Sequence, residues 1–400
     1  MLDSSLSTTC IFGDAESVSS AVPLKIFDPS VLALLSELSL AILHSKKAKE
    51  FPDLISFAFW CRSSNLSLMR EKYPSKEVRL GLGKVLHITP RNVPINFAFS
   101  WALSLLAGNC NFVKLPSVHF PQITLLVDLM HKLSKTRINE RVLKSSLFFQ
   151  TNHSSDFLKE LSLSSQARVI WGTDLTISEI KQLAAPPRQI DLTFPSRLSI
   201  SIISSDTFLG SNSTTQEGIV RKFLQDSMTF SQRGCSSPRM IFWKGDLDFY
   251  QRARKEFWEI ADKLAPRFLQ ISDPSERFSK LSYLSTQLSE TAQFATSIFG
   301  NFVVLESRKK VSFDLENYLT LGTFIEQGID QFEEMFEMLN QSLQTVTYFG
   351  INANDLLSKI ESLGFLGIDR IVPFGAAFEM TPIWDGIDTI RALSRIIEVR

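Results

Sequence analysis

The 400 residues carry 42 basic and 42 acidic side chains, a net charge of zero, and 44% of them are hydrophobic, with 32 Phe. A chain without net charge has no field with which to gather phosphate backbones, so nucleic acid is excluded as a general partner. Its length suits two domains, each with a sizeable core.

The N-terminal stretch MLDSSLSTTCIFGDAE lacks the basic and apolar regions of a secretory signal, and a cytoplasmic location is expected. Residues 31–50, VLALLSELSLAILHSKKAKE, show helical periodicity that fades into a charged end before Pro52, a helical lead-in. From residue 80 the pattern changes to strands at 84–89, 111–115, 146–150 and 168–172, alternating with helices at 95–107 and 121–134. That alternation predicts parallel βαβ units, with ligands at the strand carboxyl ends. The apolar stretch 93–108 is too short to span a membrane. Asn96, Ser100 and Ser104 follow one another at fourfold spacing along it, so it reads as a buried amphipathic helix. A second α/β unit begins near residue 205, with helices at 215–230 and within 246–265 and strands at 239–243, 301–306 and 344–350. The last segment holds a strand, a piece punctuated by Pro and Gly, and a helix.

Two places in this layout can carry chemistry. In HITPRNVPINF the turn set by Pro90 and Pro94 holds Asn92 at a strand's carboxyl edge, and the next strand delivers Lys114 to the same edge before Pro116 breaks it. In QRGCSSPRM, Cys235 precedes a strand. The residues alone leave two readings open, a small buried filler and a nucleophile held at a sharp turn. The four cysteines, at 10, 61, 110 and 235, form no CxxC pair, and no histidine lies at zinc-site spacing. His87, in an apolar strand, reads as a packed core histidine.

The order ITPRNVP, LLAGNCNFVKLPS, VIWGTDLTI, CSSPR, LQTV, DRIVPFG and WDG resembles the aldehyde dehydrogenase superfamily, and within it the LuxC-type fatty acyl-CoA reductases. The resemblance implies an α/β, aldehyde-dehydrogenase-like fold, a Rossmann-like cofactor domain plus an α/β catalytic domain. Residues 1–205 would hold the helical lead-in and the NADP-binding domain, 206–368 the catalytic domain, and 369–400 would close the fold or form an oligomer contact in a homo-oligomer. It places Cys235 at the nucleophile position and Asn92 at the oxyanion donor. Lys114, with Ser117 beside it, falls at the adenosine ribose, and Gly172 and Thr173 at the cofactor phosphates. Val118 stands where many members carry a glutamate that would repel a 2′-phosphate, so NADPH is expected. TFPSRLSISII (193–203) aligns with the segment that bears a glutamate base in aldehyde-oxidising members, yet holds no acid, leaving Asp191 and Glu379 as the carboxylates to place.

Without a base to activate water, a thioester survives until hydride arrives. The expected activity is therefore NADPH-dependent reduction of a fatty acyl-CoA, or acyl-carrier thioester, to fatty aldehyde, with an acyl-activating synthetase as a partner. The alternatives are an aldehyde dehydrogenase running toward the acid and a non-catalytic cofactor-binding subunit of an acyl-transfer complex. Luminescence, surface polysaccharide and lipid synthesis all remain open as the use of the aldehyde.

Overall fold

Short apolar runs such as KVLHI and ARVIW suit strands covered on both faces, and the computed structural model sets them at the centre of a parallel sheet. The structure describes residues 8–74, 77–90, 93–268, 294–307 and 322–398. Packing divides the chain into two units, Met1–Ser196 with Met380–Arg400, and Arg197–Glu379.

The first unit contains β1 (Thr9–Phe12), β2 (Arg79–Gly81), β3 (Lys84–Ile88), β4 (Cys110–Lys114), β5 (Ser146–Gln150), β6 (Ala167–Trp171) and β7 (Ile190–Phe194). Its six-stranded sheet runs β1-β5-β4-β3-β6-β7, parallel except for the edge strand β1. The chain builds outward from β3 to β5 on one side, then crosses to β6 on the other. The carboxyl ends of β3, β4 and β6 therefore meet where strand order reverses, the usual ligand position of such sheets.

The lead-in helix, Pro29–His44, is capped by Asp28, which accepts from Ser30 N–H, and buries Val31, Leu34, Leu35, Leu38 and Ile42. It ends where this apolar spacing ends; Lys47–Glu50 forms a separate 3-10 turn, so the expected single helix over 31–50 is broken at Ser45. The helix Asn96–Leu106 is buried almost all round, including Asn96, Ser100 and Ser104. Its polar residues thus do not mark an outer face.

The second unit holds β8 (Leu198–Ser204), β9 (Pro238–Lys244), β10 (Phe294–Phe299), β11 (Phe302–Ser307), β12 (Thr323–Ile329), β13 (Leu343–Phe349) and β14 (Arg370–Pro373). The order is β10-β11-β12-β9-β8-β13-β14, parallel apart from the β10–β11 hairpin. Period-two alternation in β9 divides the core: Ile241 and Trp243 face one cluster with Phe223, Phe257 and Trp258, while Met240 and Phe242 face another with Ile200, Ile325 and Met335. Residue 205, where a boundary was expected from the sequence, follows directly on β8, a central strand of this second sheet.

The segment 369–400 divides between the units. β14 pairs with β13, whereas β15 (Ile383–Trp384), β16 (Ile387–Asp388) and β17 (Ser394–Ile396) pack with the first unit, β17 pairing with β2. Asp385 and Gly386 of WDG, at φ 48° and 71°, make the two-residue turn of the β15–β16 hairpin. Among the described residues no helix is long and apolar enough to cross a membrane.

Candidate functional site

At the carboxyl edge of the first sheet, Ile88 is paired with Lys114 on one side and Ile170 on the other. Lys114 is 7% exposed, and its carbonyl accepts a hydrogen bond from Thr89 Oγ1 at 2.7 Å. Ser117 and Val118 follow on the surface beyond Pro116. On the far side, Trp171 stacks on Phe194 with ring centroids 3.9 Å apart, and Gly172 leads into the helix Asp174–Lys181. A Cβ on Gly172 would sit 3.0 Å from Thr176 Cγ2, so a larger residue would require the Thr176 side chain to give by a few tenths of an ångström. Thr173 caps that helix, accepting from Thr176 N–H at 3.3 Å. Lys114, Ser117, Gly172 and Thr173 thus share one sheet edge, which offers a cation and a helix N-terminus, with Asp174 in the first turn. Asn92 and its neighbour Arg91 lie outside the described residues.

Beneath this edge His87 is fully buried, with Nδ1 2.8 Å from Ser100 Oγ and Nε2 3.0 Å from Asn111 Oδ1. Burial pushes its pKa down to about 4. Because Asn111 Oδ1 can only accept, the neutral ring carries its proton on Nε2. Ser100 Oγ donates to Nδ1 and accepts from Trp171 Nε1 at 3.1 Å, which ties β3 and β6 together under the edge. The packed-core expectation for His87 therefore holds.

In the second unit, the helix Ser213–Met228 leads into a tight turn before β9. Phe230, Ser231 and Gln232 occupy left-handed backbone at φ 55°, 53° and 65°. Such positions cost roughly 1–2 kcal/mol each and persist only where the surroundings fix them. Gln232 does the fixing: its Nε2 donates to Pro238 O (3.3 Å) and Thr323 O (3.1 Å), and its Oε1 accepts from Gly322 N–H at 3.1 Å. Gly234 comes next, and a Cβ there would lie 2.7 Å from the Phe378 ring. Only glycine allows that approach.

Cys235 is half-buried at the end of this turn. Gln344 Nε2 donates toward its Sγ at 3.5 Å, Ser236 Oγ lies 4.0 Å from Sγ, and Ser199 Oγ donates to its carbonyl at 2.7 Å. By contrast Cys61 and Cys110 are buried, and burial pushes both thiols up, that of Cys110 to about 11. Cys10 lies exposed in the edge strand β1. Ser236 and Ser237 are fully buried, and Ser236 Oγ donates to Gln344 Oε1 at 2.9 Å.

The segment that presents Phe378 is held by Asp226, whose carboxylate accepts from Gly375 N–H (2.7 Å) and Ala377 N–H (3.1 Å). Burial outweighs these donors and pushes the Asp226 carboxyl up to about 6 from its ordinary 3.8. The folded chain thus keeps this proton to higher pH than the unfolded chain. The stability it contributes is complete below about 4 and is lost as pH rises through 6, on the order of 3 kcal/mol at most. Urea unfolding of the native protein and of Asp226→Asn at a series of pH values checks this. The native protein should lose stability relative to the variant between pH ~4 and ~6, then run parallel to it. Parallel curves throughout would contradict it.

The acids left open by the sequence have definite places. Asp191 is engaged by Arg168 through both oxygens, at 2.7 and 2.6 Å. Glu379 is exposed. Within 193–203 the charged side chain is Arg197, paired with Asp369 and donating to Leu343 O at 3.1 Å. Gln232, Gln344, Ser199 and Asp226 had no assigned role from sequence. LQTV marked the place of Gln344, but only the pairing of β13 with β8 brings it to Cys235.

The family model of acyl-CoA reductases (LuxC) matches residues 61–396. No curated protein matches the chain. Solved structures with the same fold include betaine aldehyde dehydrogenase from Staphylococcus aureus, at 13% identity and TM-score 0.61, covering 92% of this chain and 81% of that one. Thermus thermophilus 1-pyrroline-5-carboxylate dehydrogenase gives 12% identity and TM-score 0.61 over 96% and 83%. Escherichia coli lactaldehyde dehydrogenase gives 14% and 0.58 over 95% and 84%. At these identities the likeness shows the aldehyde dehydrogenase fold, as the sequence resemblance implied.

Proposed function

The chain belongs to the acyl-CoA reductase (LuxC) family, and from that premise we propose that it reduces a fatty acyl-CoA, or an acyl-carrier thioester, to the aldehyde through a thioester on Cys235. Family and fold support an oxidoreductase acting on acyl or aldehyde groups. The observation that carries the finer assignment is the half-buried Cys235 thiol at a strained turn, met by the neutral amide of Gln344.

The Cys235 thiolate attacks the thioester carbonyl, and the coenzyme A thiolate leaves as the new S–C bond forms. The Cys235 N–H and the Asn92 side chain supply the oxyanion donors, each worth roughly 3 kcal/mol of barrier. Bound NADPH supplies a hydride to the acyl carbon. Collapse of the resulting hemithioacetal releases aldehyde and restores the thiol. Lys114, beside Ser117, would hold the ribose, and the N–H groups of the helix that Thr173 caps, reached through Gly172, would hold the phosphates; this donor set fits an anionic dinucleotide. With Val118 beside Ser117, no carboxylate repels a 2′-phosphate there, which favours NADPH over NADH. Reduction is favoured over oxidation because 193–203 holds no acid and the neighbouring Asp191 is committed to Arg168.

The test is turnover with acyl-CoA of several chain lengths, with NADPH or NADH, scoring aldehyde, acid and free coenzyme A. Aldehyde in step with coenzyme A, faster with NADPH, is the expected result. Acid as the product, or no turnover at any length, would overturn it.

A further inference from the structure

Three observations converge on Gln344. The pairing of β13 with β8 is irregular between Leu343 and Thr345, and that of β8 with β9 between Ser199 and Ile200, so both ladders are disrupted at the level of the thiol. Such irregularities turn a side chain away from its regular direction and concentrate beside active sites. The displaced Gln344 is fully buried, and its side chain has a fixed orientation. Its Oε1 accepts from Ser236 Oγ at 2.9 Å and Thr345 Oγ1 at 3.3 Å, which turns Nε2 to Cys235 Sγ at 3.5 Å. The backbone on either side is pinned as well: Leu343 O accepts from Ile368 N–H and Arg197, and Gln344 O accepts from Asp369 N–H at 2.8 Å.

A buried residue whose strand, carbonyl and amide are all held is expensive to orient for packing alone, because a leucine would fill the space without desolvating an amide. Accepting the reading of Cys235 as nucleophile, we propose that Gln344 is a catalytic residue of the same site: its N–H donates to the Cys235 sulfur and stabilises the thiolate before attack and again when the hemithioacetal collapses. Hydrogen bonding to the charged form favours that form. A primary amide does this without acting as a base, so it raises thiolate content and still leaves the acyl-enzyme resistant to water. A carboxylate at the same place would oppose the thiolate.

Gln344→Glu is close to isosteric and keeps the acceptor for Ser236 and Thr345 while replacing the donor. Gln344→Leu removes both functions. The readout is the rate of iodoacetamide alkylation of the Cys235 peptide against pH, followed by peptide mass so that exposed Cys10 does not interfere. Both variants should move the alkylation midpoint to higher pH by ~1 unit or more. Each should also lose roughly tenfold in kcat/KM at neutral pH, partly regained in alkali. Gln344→Glu should show the larger shift, because a like charge adds to the lost donor. An unchanged midpoint in a folded Gln344→Glu protein would overturn the proposal, whatever becomes of Gln344→Leu. Failure of the nucleophile reading is separate: there Cys235→Ala would still make aldehyde, while the Gln344 variants could still shift the alkylation profile.

Discussion

Cys235→Ala should fold like the native chain and lose aldehyde formation by about 10⁴-fold or more, with no acyl group retained on the protein. Alanine removes only the sulfur from a half-buried position, so thermal unfolding should change little while steady-state turnover with acyl-CoA and NADPH collapses. Cys61→Ala provides the comparison: it opens a small cavity around a buried thiol that burial keeps protonated, so activity should persist. Turnover retained by Cys235→Ala would mean that the thiol takes no part in the reaction.

Gln232→Leu should produce the second largest loss, through geometry instead of chemistry. The substitution strands Gly322 N–H and leaves Pro238 O and Thr323 O without this donor, in a fully buried place. Unmet buried groups of this kind cost about 2–4 kcal/mol together. The three left-handed residues of the turn then lose the side chain that ties them to β9 and β12. A displacement of the thiol by about 1 Å is enough to cost about a hundredfold in kcat/KM. Melting temperature and steady-state kinetics on the same preparation check both effects. A variant that is destabilised yet turns over within about twofold of native would show that the turn is held by other contacts.

Much of this was legible in the sequence because parallel strands and their crossover helices leave a periodic trace. KVLHI, SLFFQ and ARVIW became β3, β5 and β6 within a residue of the expected bounds. β8 lies outside the expected strands, although LSISIIS alternates as a strand should. The break in the lead-in helix has a physical cause: the charged stretch after Ile42 keeps helix-forming residues but buries only Ala48 among its apolar side chains.

The site was legible only in part. Lys114, Gly172 and Thr173 stand on one sheet edge because each ends or follows a parallel strand, a placement that spacing predicts. The partners of Cys235 could not be read this way. Ser199 and Gln344 come from two separate segments and meet the Cys235 turn only because β8 pairs with both β9 and β13, while Gln232, within the turn, finds its partners only because β9 pairs with β12. The absence of an acid from 193–203 was legible throughout, being a property of the sequence itself.

The most direct measurement is the intact mass of the protein after incubation with a fatty acyl-CoA without reduced cofactor, followed by peptide mapping and then addition of NADPH. The expected result is one acyl adduct, mapped to Cys235, stable in buffer and discharged as aldehyde when NADPH is added. No adduct on Cys235, or an adduct that leaves as the free acid, would contradict a reductase that works through this thiol.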